Sequence, residues 1–264
     1  MSASAKPGRI EVRHCQGLEE WQQCAQLEKV VWGFEECVPL PLYVVAAETG
    51  GQVLGAFLDG ELVGFTMAVA GVRTEGGKLT PFLHSHMTAV RSEHRDRGIG
   101  RQLKLLQRQD ALERGIRVVE WTFDPLEMRN AHFNLMRLGA VARRLIPNCY
   151  GVTSSELHCG MPTDRLVAEW RLDSPRVVRL LEGGRKAEVG RPSSAQTVLI
   201  PEEMDRWRKE NREMALLEQV RIAGEFHRWF AQGYVATAIE NTPDGGVYLL
   251  EPFERVKEEL DADS

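Results

Sequence analysis

Residues 95–100 of this 264-residue chain read Arg95-Asp96-Arg97-Gly98-Ile99-Gly100, a spacing suited to holding an anion. Glycines two apart let the main chain take conformations closed to other residues and let a ligand come close. Successive N–H groups in such a turn point inward, and at the start of a helix they form a nest for a pyrophosphate. Hydrogen bonds to charged oxygens contribute roughly 1.5–3 kcal/mol each, so a few amides suffice to anchor a cofactor. Residues 91–117 hold eight Lys/Arg against four acids, a local excess sized for a small polyanion. Groups able to move a proton stand on either side of the turn. His84 is one candidate base, since an unperturbed imidazole pKa of about 6.5 suits neutral operation, and Glu120 is the other. His86 follows His84 by two residues and faces the same side of a strand. The pair lacks a third ligand, so no metal is expected.

A turn of this kind works between a strand and a helix. Residues 82–90 read as the strand, and residues 101–114 as the helix, closed by Gly115. Upstream, residues 10–13 form a strand, 18–31 an amphipathic helix, and 42–48 a short helix ending at Gly50-Gly51. Residues 53–58 and 61–69 flank Asp59-Gly60, a strong hairpin signal. Residues 71–81 are rich in turn formers and are expected as a loop. Downstream come a strand at 118–123 and a short helix at 130–138, stopped by Gly139. The mixture predicts an α+β fold, a mixed and mostly antiparallel sheet with helices on both faces. Residues 183–196 read as a linker. Beyond it lie strands at 198–200, 234–240 and 247–250, and one long helix at 202–230. Helix, Gly233, strand echoes helix, Gly139, strand, and a worn internal repeat is one reading of that echo.

Charge and composition narrow the partners. Residues 1–165 hold 19 Lys/Arg and 19 Asp/Glu, whereas residues 166–264 hold 14 and 19, so the tail carries the whole net charge of −5. That balance argues against nucleic acid. No apolar run approaches the roughly 20 residues that span a bilayer, and residues 1–9 lack the apolar stretch of a signal peptide. Cys15, Cys24, Cys37, Cys149 and Cys159 are odd in number and have no C-x-x-C pairing. They read as reduced thiols of a cytoplasmic protein, neither a disulfide frame nor a zinc site.

Met87-Thr-Ala-Val90 followed by Arg95-Asp-Arg-Gly-Ile-Gly100 resembles the coenzyme A signature of the GNAT N-acyltransferase superfamily. The element order over residues 10–160 is similar as well, and the whole chain resembles a bacterial branch of predicted acetyltransferases with a C-terminal extension. The resemblance implies a GNAT domain at 10–165 and an α/β extension at 166–264 packing on it. It implies acetyl-CoA or another acyl-CoA as cosubstrate. Main-chain groups of Met87, Ala89 and Val90 would hold pantetheine and polarise the thioester carbonyl. Arg95, Asp96, Arg97, Gly98, Ile99, Gly100 and Arg101 would hold the pyrophosphate. In the Asn-x-x-Ala…Leu-Gly element of the family, this chain keeps Ala131 and Leu138-Gly139. Met128 takes the usual asparagine position, with Asn130 and Asn134 one helical turn apart as substitutes. Leu135 stands where many members have a tyrosine acid, and Tyr150 is the alternative acid. His84 lies where histone-acetylating members carry a glutamate base. Arg129, Arg137, Arg143 and Arg144 are candidates to clamp a carboxylate or the 3′-phosphate.

The expected activity is acyl transfer, acetyl first, to the amine of a small molecule such as an amino acid, with a succinyl-type donor as a variant. A homodimer is compatible with this reading. Two rivals come from other classes: a degenerate acyl-CoA sensor, suggested by Leu135 and the displaced asparagine, and an interaction module formed by the tail.

Overall fold

A computed structural model describes residues 9–33, 37–151, 153, 159–182 and 194–260. The chain divides into two compact units, Met1–Ile116 and Arg117–Ser264.

The first unit contains β1 (Ile10–His14), α1 (Gly17–Trp32), α2 (Leu40–Glu48), β2 (Gln52–Leu58), β3 (Glu61–Glu75), β4 (Lys78–Val90) and α3 (Ile99–Glu113). Its strands pair antiparallel in the order β1-β2-β3-β4. β2 is apolar on both faces because helices cover both. Val53 and Phe57 join Cys24, Leu27 and Tyr43 of α1 and α2, while Leu54 and Ala56 join Ile99 and Leu103 of α3. The period of two along a strand sorts these residues to opposite sides.

Both hairpins close on two residues with positive φ, as the right-handed twist of the strands demands. Asp59 and Gly60 (51° and 90°) make the first, and Gly76 and Gly77 (56° and 79°) the second. The loop expected at 71–81 is therefore corrected to the outer arms of β3 and β4. Gly71 does not break its strand because Phe82 lies opposite, with its ring where a Gly71 side chain would stand.

The second unit contains β5 (Val118–Phe123), α4 (Met128–His132), β6 (Val141–Ile146), β7 (Arg165–Arg171), α5 (Pro175–Glu182), β8 (Gln196–Pro201), α6 (Met204–Glu210), α7 (Arg212–Ala231), β9 (Tyr234–Thr242), β10 (Gly245–Pro252) and α8 (Phe253–Leu260). Its strands run in the order β5-β7-β6-β9-β10-β8, with antiparallel pairings. β6 meets β9 at Ala142 and Ala236.

The long helix expected in the extension is divided. Residues 202–230 form two helices, because Asn211 leaves the helical conformation (φ −144°) and its side chain caps α7 by accepting from the Met214 N–H at 3.2 Å. The division at residue 165 falls on the first residue of β7, which lies between β5 and β6. We propose the boundary of the extension after Arg171 instead. The linker at 183–196 lies outside the described residues as far as residue 193, and Gln196 already belongs to β8. α5 ties the extension inward: the half-buried Arg176 guanidinium donates to the carbonyls of Gly139, Leu135 and Thr237.

Lys104 of α3 is buried in the first unit, and burial lowers its ammonium pKa to about 7. The sign follows from proton counts. Below about pH 7 both folded and unfolded states hold the proton, and the burial cost is full. Between about 7 and 10.5 only the unfolded state holds it, so stability rises with pH across that window. At 1.36 kcal/mol per pKa unit the total is roughly 5 kcal/mol. Lys104→Met should flatten this rise and raise the melting temperature at pH 7, as measured by pH-dependent thermal denaturation. An unchanged pH dependence would refute the attribution to Lys104.

Candidate active site

The phosphate-binding geometry is built at the end of β4. A 3₁₀ turn at Ser92–His94 leads into Asp96 and Gly98, both left-handed (φ 61° and 77°), and α3 starts at Ile99. Left-handed backbone at a non-glycine costs roughly 1–2 kcal/mol, so Asp96 is held there by its surroundings. The N-cap residue of α3 is Gly98, which has no side chain to offer its first amides. Its first N–H groups have no partner within the helix, and its ladder begins with Gln102 N–H to Gly98 O at 3.0 Å. A Cβ added at Gly98 or Gly100 would meet nothing within 4 Å, which leaves room beside the amides. Ile99 is buried and anchors the turn. Arg95 and Arg97 are exposed, Arg101 half-buried.

β4 carries a bulge a short way before this turn. Met67 pairs with Met87 and Ala68 with Ser85, so His86 is the extra residue. The extra residue of a bulge is left out of the ladder. The bulge also exchanges the faces of β4: Met87 and Ala89 pack on the α1–α2 side, and Val90 on the α3 side. His84, half-buried opposite Val69, lies with its ring 6.4 Å from that of His86. Desolvation lowers the His86 pKa, against the pull of the Glu28 carboxylate. Sequence reading missed Glu28 and Tyr43, which no motif marks. Buried Glu28 accepts from the Tyr43 hydroxyl at 2.8 Å and from Val38 N–H at 3.0 Å. The Tyr43 oxygen is 3.7 Å from Met87 Sδ, so this pair backs the bulge.

In the second unit, Glu120 of β5 is 9% exposed and pairs across the ladder with Glu169 of β7. Burial would raise the Glu169 pKa, but Arg143 and Arg171, at 2.7 and 2.6 Å, hold it below the usual carboxylate value. That use of Arg143 removes it from the candidate anion clamp. Thr122 shares a strand face with Glu120. Its hydroxyl lies 2.7 Å from that of Tyr150, whose N–H is held by Thr163 Oγ1 at 2.8 Å. Tyr150 and Glu120 are thus brought toward one face of β5. Tyr150 is 47% exposed, and desolvation of its hydroxyl raises the phenol pKa, with Thr122 opposing.

The two asparagines do not share a face. α4 gives way to a π-helical turn at Phe133–Arg137, Asn130 stays exposed, and Asn134 is buried. Asn134 Nδ2 has no hydrogen-bond partner among the described residues. Leu135 is core. Beyond β5, Asp124 accepts from Arg208 of α6 at 2.5 Å, and Tyr248 of β10 donates to Pro125 O at 2.8 Å. The extension therefore fixes the loop after β5, which sequence reading did not find. Among the described residues no group of three or more His, Cys, Asp or Glu side chains is arranged to hold a metal. No helix among them is long and apolar enough to cross a membrane.

Comparison with known proteins bears on this geometry. The Acetyltransferase (GNAT) family model matches residues 13–139. Among solved structures, the ribosomal-protein-S18-alanine N-acetyltransferase from Escherichia coli is similar at 11% identity and a TM-score of 0.50, over 62% of this chain and 94% of that one. The NatC complex bound to Gag peptide and CoA is similar at 10% identity and a TM-score of 0.50, over 61% and 98%. At such identities the likeness speaks for the fold. Comparison with curated protein sequences gives no match. The family match takes in the glycine nest, the bulge and β5. Residues 13–139 therefore carry the sequence pattern of the GNAT acetyltransferase family.

Proposed function

We propose that the chain transfers an acyl group, acetyl by preference, from an acyl-coenzyme A to the amine of a small molecule such as an amino acid, in the cytoplasm. The observation that carries this reading is the start of α3, where Asp96 and Gly98 turn left-handed and open space lies beside Gly98 and Gly100. Amides of residues 95–101 hold the pyrophosphate in this reading, and main-chain groups of Met87, Ala89 and Val90 hold pantetheine. The solved relative NatC was captured with CoA, which supports the cosubstrate. Asn134, with its buried unpaired amide, is the better of the two asparagines for a further polar contact.

A lysine-like amine with pKa 10.4 is neutral only about once in 2,500 molecules at pH 7, a deficit of roughly 4.6 kcal/mol. Glu120 or His84 takes that proton as the nitrogen attacks the thioester carbon. The C–N bond forms, the C–S bond breaks, and the sulfur leaves as thiolate or takes a proton from Tyr150. The thiolate route costs only about 2 kcal/mol at pH 7, so the acid matters less than the base. Main-chain donors on the carbonyl oxygen supply about 10²–10³-fold each.

Thiol release from acetyl-CoA and succinyl-CoA across a panel of small amines tests the assignment. Glu120→Gln should lower kcat about 100-fold with little change in the KM for acyl-CoA, and Tyr150→Phe less than about tenfold. If His84→Ala instead shows the large loss, His84 is the base. Tight coenzyme A binding without turnover on any amine would reject the enzyme in favour of an acyl-CoA sensor.

A further inference from the structure

Gln52, Thr66, Ser85, Lys104 and Gln107 are all buried in the first unit, none more than 4% exposed. They meet between the sheet and α3. Apolar side chains of similar volume often serve stability better than buried charge. A breach of that rule tends to mark a site held for something besides stability.

These groups grip the bulge of β4. Lys104 Nζ donates to Ser85 Oγ at 2.8 Å and to Gln107 Oε1 at 2.9 Å. Ser85 is the last paired residue before His86. On the other flank Thr66 Oγ1 donates to the carbonyl of Met87 at 2.9 Å and meets Thr88 Oγ1 at 2.8 Å. Gln52 Nε2 donates to Gln107 O at 3.1 Å, fastening β2 to α3 at the same level. The helix that carries Lys104 begins at the glycine nest. One side chain thus joins the helix of the nest to the strand of the bulge.

We propose that Lys104 is a positioning residue for acyl transfer: through Ser85 it fixes the β4 bulge to α3, setting the main-chain groups of residues 86 and 87 at a constant distance from the phosphate nest. This rests on the acyl-transfer reading. Pantetheine has a fixed reach, so a thioester anchored at its pyrophosphate meets its carbonyl donors only if that distance holds. Misplacement by about 1 Å can cost on the order of 100-fold in rate.

Three variants test it: Lys104→Met, Ser85→Ala and the double variant. With acetyl-CoA and the best amine, Lys104→Met should lose about tenfold or more in kcat, while the KM for acetyl-CoA stays within about twofold. It should melt no lower than the parent, whereas a merely structural lysine would lose rate and stability together. The double variant should fall no further than Lys104→Met, because both remove one tie. Without ligand, amide exchange at His86 and Met87 should quicken at least about tenfold in Lys104→Met. Thr66→Val, which loosens the other flank, should shift kcat and exchange in the same direction and stands in if Lys104→Met does not fold. Unchanged kcat overturns the proposal, with or without faster exchange, and so do fully additive losses. If the parent binds no coenzyme A and turns over no amine, the acyl-transfer reading falls and takes the catalytic role with it. The exchange measurement then separates that failure from a failure of Lys104 to hold the bulge.

Discussion

Gly100→Leu should raise the dissociation constant for coenzyme A about 100-fold or more while leaving the fold intact. Gly100 lies inside α3, and a Cβ there would touch nothing in the chain. Leucine is the better helix former, so folding gains slightly or is unchanged. The new side chain fills the space that a pyrophosphate needs. Losing two charge-assisted hydrogen bonds at roughly 1.5–3 kcal/mol each amounts to two or more decades, at about 1.4 kcal/mol per decade. Isothermal calorimetry on the folded variant measures this directly. Gly98→Ala is the companion case: it has equal room but a left-handed backbone, so it should also lose about 1 kcal/mol of stability. A change in affinity below about threefold in Gly100→Leu would remove the nest from the cofactor site, whatever the family match says.

The second large effect concerns folding. Arg208→Ala should destabilise the protein by about 3–5 kcal/mol, because it strands a largely buried carboxylate. The Arg208 and Asp124 side chains are 6% and 12% exposed and 2.5 Å apart, and Glu127 adds a second contact at 3.1 Å. Urea denaturation should show a lower midpoint with an unchanged slope. Arg208→Met combined with Asp124→Asn should recover most of the loss, since it removes both charges together. A loss under about 1 kcal/mol in the single variant would mean that Arg165, 3.8 Å from Asp124, already neutralises it.

Features with a local mechanism were readable in the sequence. Asp59-Gly60 and the turn at residues 95–100 announce themselves because positive φ selects glycine and its few substitutes. The α+β class and the helices on both faces of the first sheet followed from period and punctuation. Elements defined by distant partners were not readable. β7 contains Arg165 and Glu169, so it does not look like an interior strand until its partners β5 and β6 are in place. The same holds for the site. His84, Glu120 and Tyr150 could be proposed from residue type and position. The bulge at His86 exists only in the register between β3 and β4. Glu28 and Tyr43 meet across the α1–α2 connection, and Lys104 has no sequence mark separating it from a solvated helix lysine.

The contact between β6 and β9 at Ala142 and Ala236 has a consequence for self-association. β6 pairs with β7 along one side, and a chain ending after Arg171 would lack β9 on the other. Exposed main-chain donors and acceptors along that side would then recruit a strand from a second molecule. Such a fragment should scatter more light as its concentration rises, while the full chain does not. The tail would then act as a shield against polymerisation, whatever it contributes to the choice of amine.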